Sequence, residues 1–178
     1  TSTTSDGNYI VDSDGDVTSD IAFATTGGPI NIAVNHTDSA SLEFISNTFE
    51  VNGTNPVRIY IGNSSSTGPL PKIEFDDVDM DVEGDRTDTF SVLFHSTTDP
   101  DETSMFIQGG TEFYGTVYAP DMENQDVRDS NVYVAMVAEN ITVVDSGIHY
   151  DQQLREPRAE GVSAVNYLHV TDNRVRIR

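Results

Sequence analysis

Three segments between Gly110 and His149 repeat one another, and the repeat limits what this chain can fold into. Set in register, Gly110-Thr111-Glu112-Phe113-Tyr114 stands over Asp129-Ser130-Asn131-Val132-Tyr133. Asp145-Ser146-Gly147-Ile148-His149 follows. Each opens with small, turn-forming residues, passes through an apolar residue and reaches Tyr, Tyr or His. The first two run on to a small residue at the same offset, Ala119 and Ala138. The step from Asp129 to Asp145 is a little shorter than the step from Gly110 to Asp129, and the composition is that of strands. A unit this short cannot bury an inner face alone, so such units stack, and a stack of short strands is a β-solenoid. A meander of hairpins in a sandwich is the alternative for similar strands that recur.

The rest of the chain also reads as all-β. Gly, Pro, Asn and Asp punctuate it at short intervals, with runs rich in Val, Ile, Phe, Tyr and Thr between them. Strands are expected at 8–11, 21–24, 30–34, 41–44, 48–51, 57–61, 72–75 and 89–94. Strict alternation over Val78-Asp79-Met80-Asp81-Val82-Glu83 predicts a strand with one buried and one acidic face. Asp14-Gly15 predicts a hairpin turn between the first two strands. The stretches 64–71 and 96–104 read as loops, and a helical turn is expected within 151–160. The expected fold is all-β: a β-solenoid or β-helix-like stack of short strands in the C-terminal half, with hairpins or sandwich-like strands in the N-terminal half. One β-rich domain spans 1–178, with strands and hairpins over 1–108, repeat coils over 109–154 and a basic strand within 155–178.

Charge sets the environment. Thirty acids face nine bases, for a net −21, and Lys72 is the only lysine. In dilute buffer such self-repulsion opposes compaction. In molar salt the Debye length falls to about 3 Å and the repulsion is screened. The composition therefore predicts a protein of strong brine, with an acidic binder of cations or basic partners as the alternative. The absence of a basic stripe argues against nucleic acid as a partner. No apolar run reaches the ~20 residues of a membrane span. There is no cysteine, hence no disulfide. Thr1 is consistent with a processed or trimmed start.

Candidate sites are few. Asp12, Asp14 and Asp16 surround a turn and offer carboxylates for Ca2+, although the loop fails the EF-hand spacing. Asn35, Asn52, Asn63 and Asn140 each begin an Asn-x-Ser/Thr acceptor. Arg174, Arg176 and Arg178 alternate with Val175 and Ile177, which predicts a terminal strand with an Arg face for assembly or docking. His149-Tyr150-Asp151 has the residue types of a general base or a metal site. The repeat instead puts His149 at a tyrosine position, so it reads as one rung of a stacked ladder.

The segment Phe113–Leu154, with Gly115-Thr116-Val117-Tyr118-Ala119-Pro120 near its start and Ile148-His149-Tyr150-Asp151 near its end, resembles the C-terminal module of pilin-like secreted proteins of salt-loving archaea. The resemblance extends through Ala164–Arg178 and covers roughly residues 109–178. Val134 departs from the glycine usual in the second coil, and the hydrophobic N-terminal helix of such proteins has no counterpart in this sequence. The resemblance implies an extracellular, non-catalytic, structural or adhesive surface protein, a filament component that associates with itself or with other surface proteins. It also implies a close at Tyr150 and Leu154 that seals the coils. A β-solenoid carbohydrate-binding or carbohydrate-active module is the alternative.

Overall fold

A computed structural model describes residues 2–11, 15–36, 41–63, 72–84, 86–95, 104–120, 122 and 124–150. Those residues form seventeen strands and no helix. All described pairings are parallel, and each joins a strand to one a full coil away along the chain. The solenoid expected of the C-terminal half therefore extends through the N-terminal half.

The chain winds through three faces. The first carries β1 (Ser2–Ser5), β4 (Ile21–Ala24), β7 (Thr48–Asn52) and β10 (Asp79–Val82). The second carries β2 (Gly7–Val11), β5 (Ile30–His36), β8 (Val57–Asn63) and β11 (Phe90–His95). The third carries β3 (Gly15–Val17), β6 (Ser41–Ile45), β9 (Lys72–Asp76), β12 (Ser104–Gln108), β14 (Asn124–Arg128) and β16 (Ile141–Val144). In the later coils the corner between the first two faces disappears. β13 (Glu112–Ala119) pairs with β10 through its first residue and with β11 through Thr116–Tyr118, so it serves both faces. β15 (Asn131–Ala138) follows it residue for residue, and β17 (Gly147–His149) begins one more rung on the first face.

Asp14 lies outside the described residues, but the strands expected to flank a hairpin there do not pair with each other: β4 pairs with β1 and β7. β2 pairs with β5 and β3 pairs with β6, each in parallel. The reason is physical: a solenoid corner draws on the same Gly, Asn and Asp chemistry as a hairpin turn, but it turns the chain onto the next face rather than back beside itself.

Alternation fills the lumen. Val78, Met80 and Val82 are buried while Asp79, Asp81 and Glu83 face solvent, as their pattern predicted. Inside, phenylalanines from successive coils form a continuous spine. Ring centroids lie 4.8 Å apart for Phe23–Phe49, 4.9 Å for Phe49–Phe90, 5.0 Å for Phe44–Phe75 and 5.2 Å for Phe75–Phe113. Each fully buried ring contributes roughly 1.5–3 kcal/mol of transfer free energy, and the edge-on contacts add to it.

The corner between the third and first faces repeats as a structural unit. Ser46, Asp77, Asp129 and Asp145 each take a left-handed backbone there (φ 47°, 56°, 48° and 49°), and Gly109 and Gly110 do so between β12 and β13. Short polar side chains then tie the corners together. The Asn47 amide donates to the Val17 carbonyl at 2.7 Å, and the Ser130 backbone N–H donates to Ser146 Oγ at 3.1 Å. At the corner between the first and second faces, Gly53 (φ 128°) stacks so closely on Thr25 that a Cβ would stand 2.7 Å from its hydroxyl. At the far end, Tyr150, expected to seal the coils, is exposed; Leu154 and the helical turn expected within 151–160 lie outside the described residues.

Candidate functional surface

His149 is the residue that most invites a chemical reading, and the fold settles its setting. The register pairs Tyr114 with Tyr133 and Tyr133 with His149. The rings stack: Tyr114 on Tyr133 at 4.6 Å and 5°, Tyr133 on His149 at 4.7 Å and 15°. In-register parallel strands impose this, because equivalent side chains on successive rungs sit about 4.8 Å apart. The His149 ring thus continues an aromatic column as the sequence register predicted. Asp151 lies outside the described residues.

The same geometry makes columns of carboxylates. On the first face Glu50 pairs with Asp81, and Asp79 pairs with Glu112. On the third, Asp16 pairs with Glu43 and Glu43 with Glu74. Like charges on adjacent rungs repel by about 0.8 kcal/mol at ~5 Å in water, before salt screens them. One of these pairs has a local countercharge. The Lys72 ammonium bonds Glu43 at 3.2 Å, bonds Glu74 as well, and lies 5.2 Å from the centre of the Phe106 ring. Burial alone lowers the pKa of Lys72, but the hydrogen bonds and charges of Glu74 and Glu43 outweigh it, and the net shift is upward. Glu74, itself buried, also accepts a 2.6 Å hydrogen bond from the Gln108 amide. On the insertion between β10 and β11, Arg86 grips Asp88 through two bonds of 2.9 and 2.8 Å, which raise its pKa further. The sequence marked Lys72 only as the single lysine; its role emerges once Glu43 and Glu74, a full coil apart along the chain, become neighbours.

The second face differs. Its strands β2, β5, β8 and β11, and the second halves of β13 and β15, contain no Asp or Glu. Outward columns there hold Asn8, Asn31, Arg58, Ser91, Thr116 and Ala135, then Ile10, Ala33, Tyr60, Leu93, Tyr118 and Val137. Linear reading missed this, because strands of one face are interleaved along the chain with strands of the other two.

Of the sequence-predicted site residues, those that are described are dispersed over the fold. Asp16 is exposed on β3, while Asp12 and Asp14 lie outside the described residues. Among the described residues no group of three or more His, Asp or Glu is placed to hold a metal ion. Of the glycan acceptors, Asn52 is exposed at the end of β7 with its amide 3.2 Å from Glu50 Oε2, and Asn140 is exposed before β16. Asn35 and Asn63 lie on β5 and β8, with side chains outside the described set. Arg174, Arg176 and Arg178 also lie outside it. No described helix is long and apolar enough to cross a membrane.

Comparison with known proteins adds a family. The family model described as Domain of unknown function (DUF7305) matches residues 1–157, and the chain belongs to that family. No curated protein and no solved structure matches it.

Proposed function

We propose that this member of the family is a non-catalytic structural or adhesive protein of a cell surface bathed in concentrated salt, a pilin-like subunit or component of a filament. The observation that carries the reading is the set of in-register carboxylate columns on two of the three faces. Stacking the coils forces these charges together, and only a strongly screening medium makes that arrangement inexpensive. A second support is the use of His149 as a stacking ring, which gives the most chemically suggestive side chain an architectural role. The resemblance of residues 109–178 to pilin-like secreted proteins supplies the extracellular setting.

The test is location and form. Antibody labelling of intact cells at native salinity, followed by electron microscopy of the labelled material, should place the protein on the surface and in polymers. Labelling that appears only after lysis would sink the reading.

A further inference from the structure

The acid-free second face points to a partner. Nine Asp and Glu residues stand on the strands of the other two faces, and none stands on this one. Its outer column instead presents Ile10, 71% exposed, then Ala33, Tyr60 at 42%, Leu93, Tyr118 at 38%, and Val137. The register keeps these six side chains in one line over six consecutive rungs. The column beside it is uncharged except for Arg58, and in it the Asn31 amide donates to Asn8 Oδ1 at 3.0 Å. Exposed apolar stripes of this continuity mark interaction surfaces.

We infer that this face is where one copy of the chain packs on a second copy, sheet against sheet. Charge selects the occupant. A basic partner would be drawn to the carboxylate columns of the first and third faces. A partner as acidic as this chain meets the least repulsion where there are no acids, and a second copy is such a partner. The dimensions suffice. Six rungs at ~4.8 Å by about five to seven residues at ~3.3 Å give a flat footprint of about 500 Å2 per copy. Two copies then bury roughly 1,000 Å2 before side-chain relief is counted, near the lower bound for specific interfaces. Sheets packed this way lie about 10 Å apart. In molar salt that distance is about three Debye lengths, so the acids on the outer faces no longer oppose contact. The inference deepens the surface-protein reading and rests on it for the high-salt setting.

Sedimentation velocity of the full chain in molar salt tests it, with the Tyr60→Asp/Tyr118→Asp double variant alongside. The cysteine-free sequence also allows a single spin label at Ser91→Cys on the second face, with Asp81→Cys on the first face as control. Wild type should double in mass as concentration rises. The double variant should keep the wild-type circular dichroism, and the wild-type melting curve at protein concentrations where both are monomeric, while its dimer weakens by about 100-fold or more. The Ser91→Cys label should become immobile only in the dimer, and the Asp81→Cys label should stay mobile. A wild type that remains monomeric overturns the inference, as does a double variant that dimerises like wild type. So does a Ser91→Cys label already immobile in the monomer, since another segment of the chain would then cover the face. Surface filaments on cells combined with any of these results would leave the proposed function standing and remove only this interface.

Discussion

Replacing Thr111 with Val tests the corner that holds the first face in register. Thr111 is fully buried and follows the two left-handed glycines between β12 and β13. Its hydroxyl accepts the Val78 backbone N–H at 3.1 Å and donates toward the carbonyls of Gln108 at 2.6 Å and Phe75 at 3.2 Å. Valine keeps the shape and the buried methyl and removes only the oxygen. The Gln108 carbonyl retains N–H donors from Thr111 and Asp77, so its loss is small. The Val78 N–H has this hydroxyl as its acceptor, and in the variant it becomes a buried donor with nothing to bond. An unsatisfied buried amide costs ~1–3 kcal/mol and a lost neutral hydrogen bond about 1 kcal/mol, so Thr111→Val should destabilise by about 2–4 kcal/mol. Thr111→Ser keeps the oxygen and loses one methyl, for about 1 kcal/mol. Urea unfolding at fixed molar salt gives both values from the shift in midpoint, provided the slope is unchanged. If Thr111→Val unfolds within about 0.5 kcal/mol of wild type, the hydroxyl is not what ties the coils at this corner, and the reasoning fails.

Three further outcomes are expected. His149→Phe should leave stability within about 0.5 kcal/mol of wild type, whereas His149→Ala should lose ~0.5–1 kcal/mol of stacking on Tyr133; equal losses in urea melts would show that the ring itself contributes nothing. Lys72→Met should destabilise by about 1–2 kcal/mol by leaving Glu43 and Glu74 adjacent, after allowance for the partial exposure of the ammonium. Because the folded-state pKa of Lys72 lies above its ordinary 10.5, its contribution is complete below pH 10.5 and is lost as pH rises through the folded value. Going up from neutral pH, the gap between wild type and Lys72→Met should therefore narrow only in strongly alkaline buffer, and a gap that closes near neutrality would contradict the ion pair. Finally, the melting temperature should climb between about 0.1 and 1 M salt, as each like-charged rung pair relaxes from about 0.5 toward about 0.2 kcal/mol. A melting curve indifferent to salt would show that the carboxylate columns do not strain the fold.

The sequence was most legible where coils are shortest. The register partners Glu112, Asn131 and Gly147 follow one another closely along the chain, so the last coils align by eye. Upstream, the partners Ile21, Phe49 and Met80, and likewise Asp79 and Glu112, are much more widely spaced. Corners of unequal length had hidden the same architecture there, which is why the N-terminal half read as hairpins. Strands with strong alternation, such as β10, were visible almost to their ends, because burial on one side leaves a period of two. β12, β14 and β16 escaped notice. Met105 and Ile107 carry their alternation within a stretch whose start reads as loop, and Gln125 sits buried at an inward position where a sequence reader expects an apolar residue. The stacking of His149 was legible because it needs only register. The Lys72 ion pairs and the acid-free face were not, because both depend on which distant strands share a face.

The unequal coils have one more consequence. The short coil from Asn131 to Gly147 and the long one from Asp79 to Glu112 each advance the stack by a single strand spacing. The length of this body along its axis is thus counted in turns, while the number of residues in each turn is set by its corners. Residues can enter or leave a corner without altering the reach of the molecule or the alignment of its faces. Such a chain works as a ruler with interchangeable trim, its graduation set by backbone hydrogen bonds and its ornament left open to change.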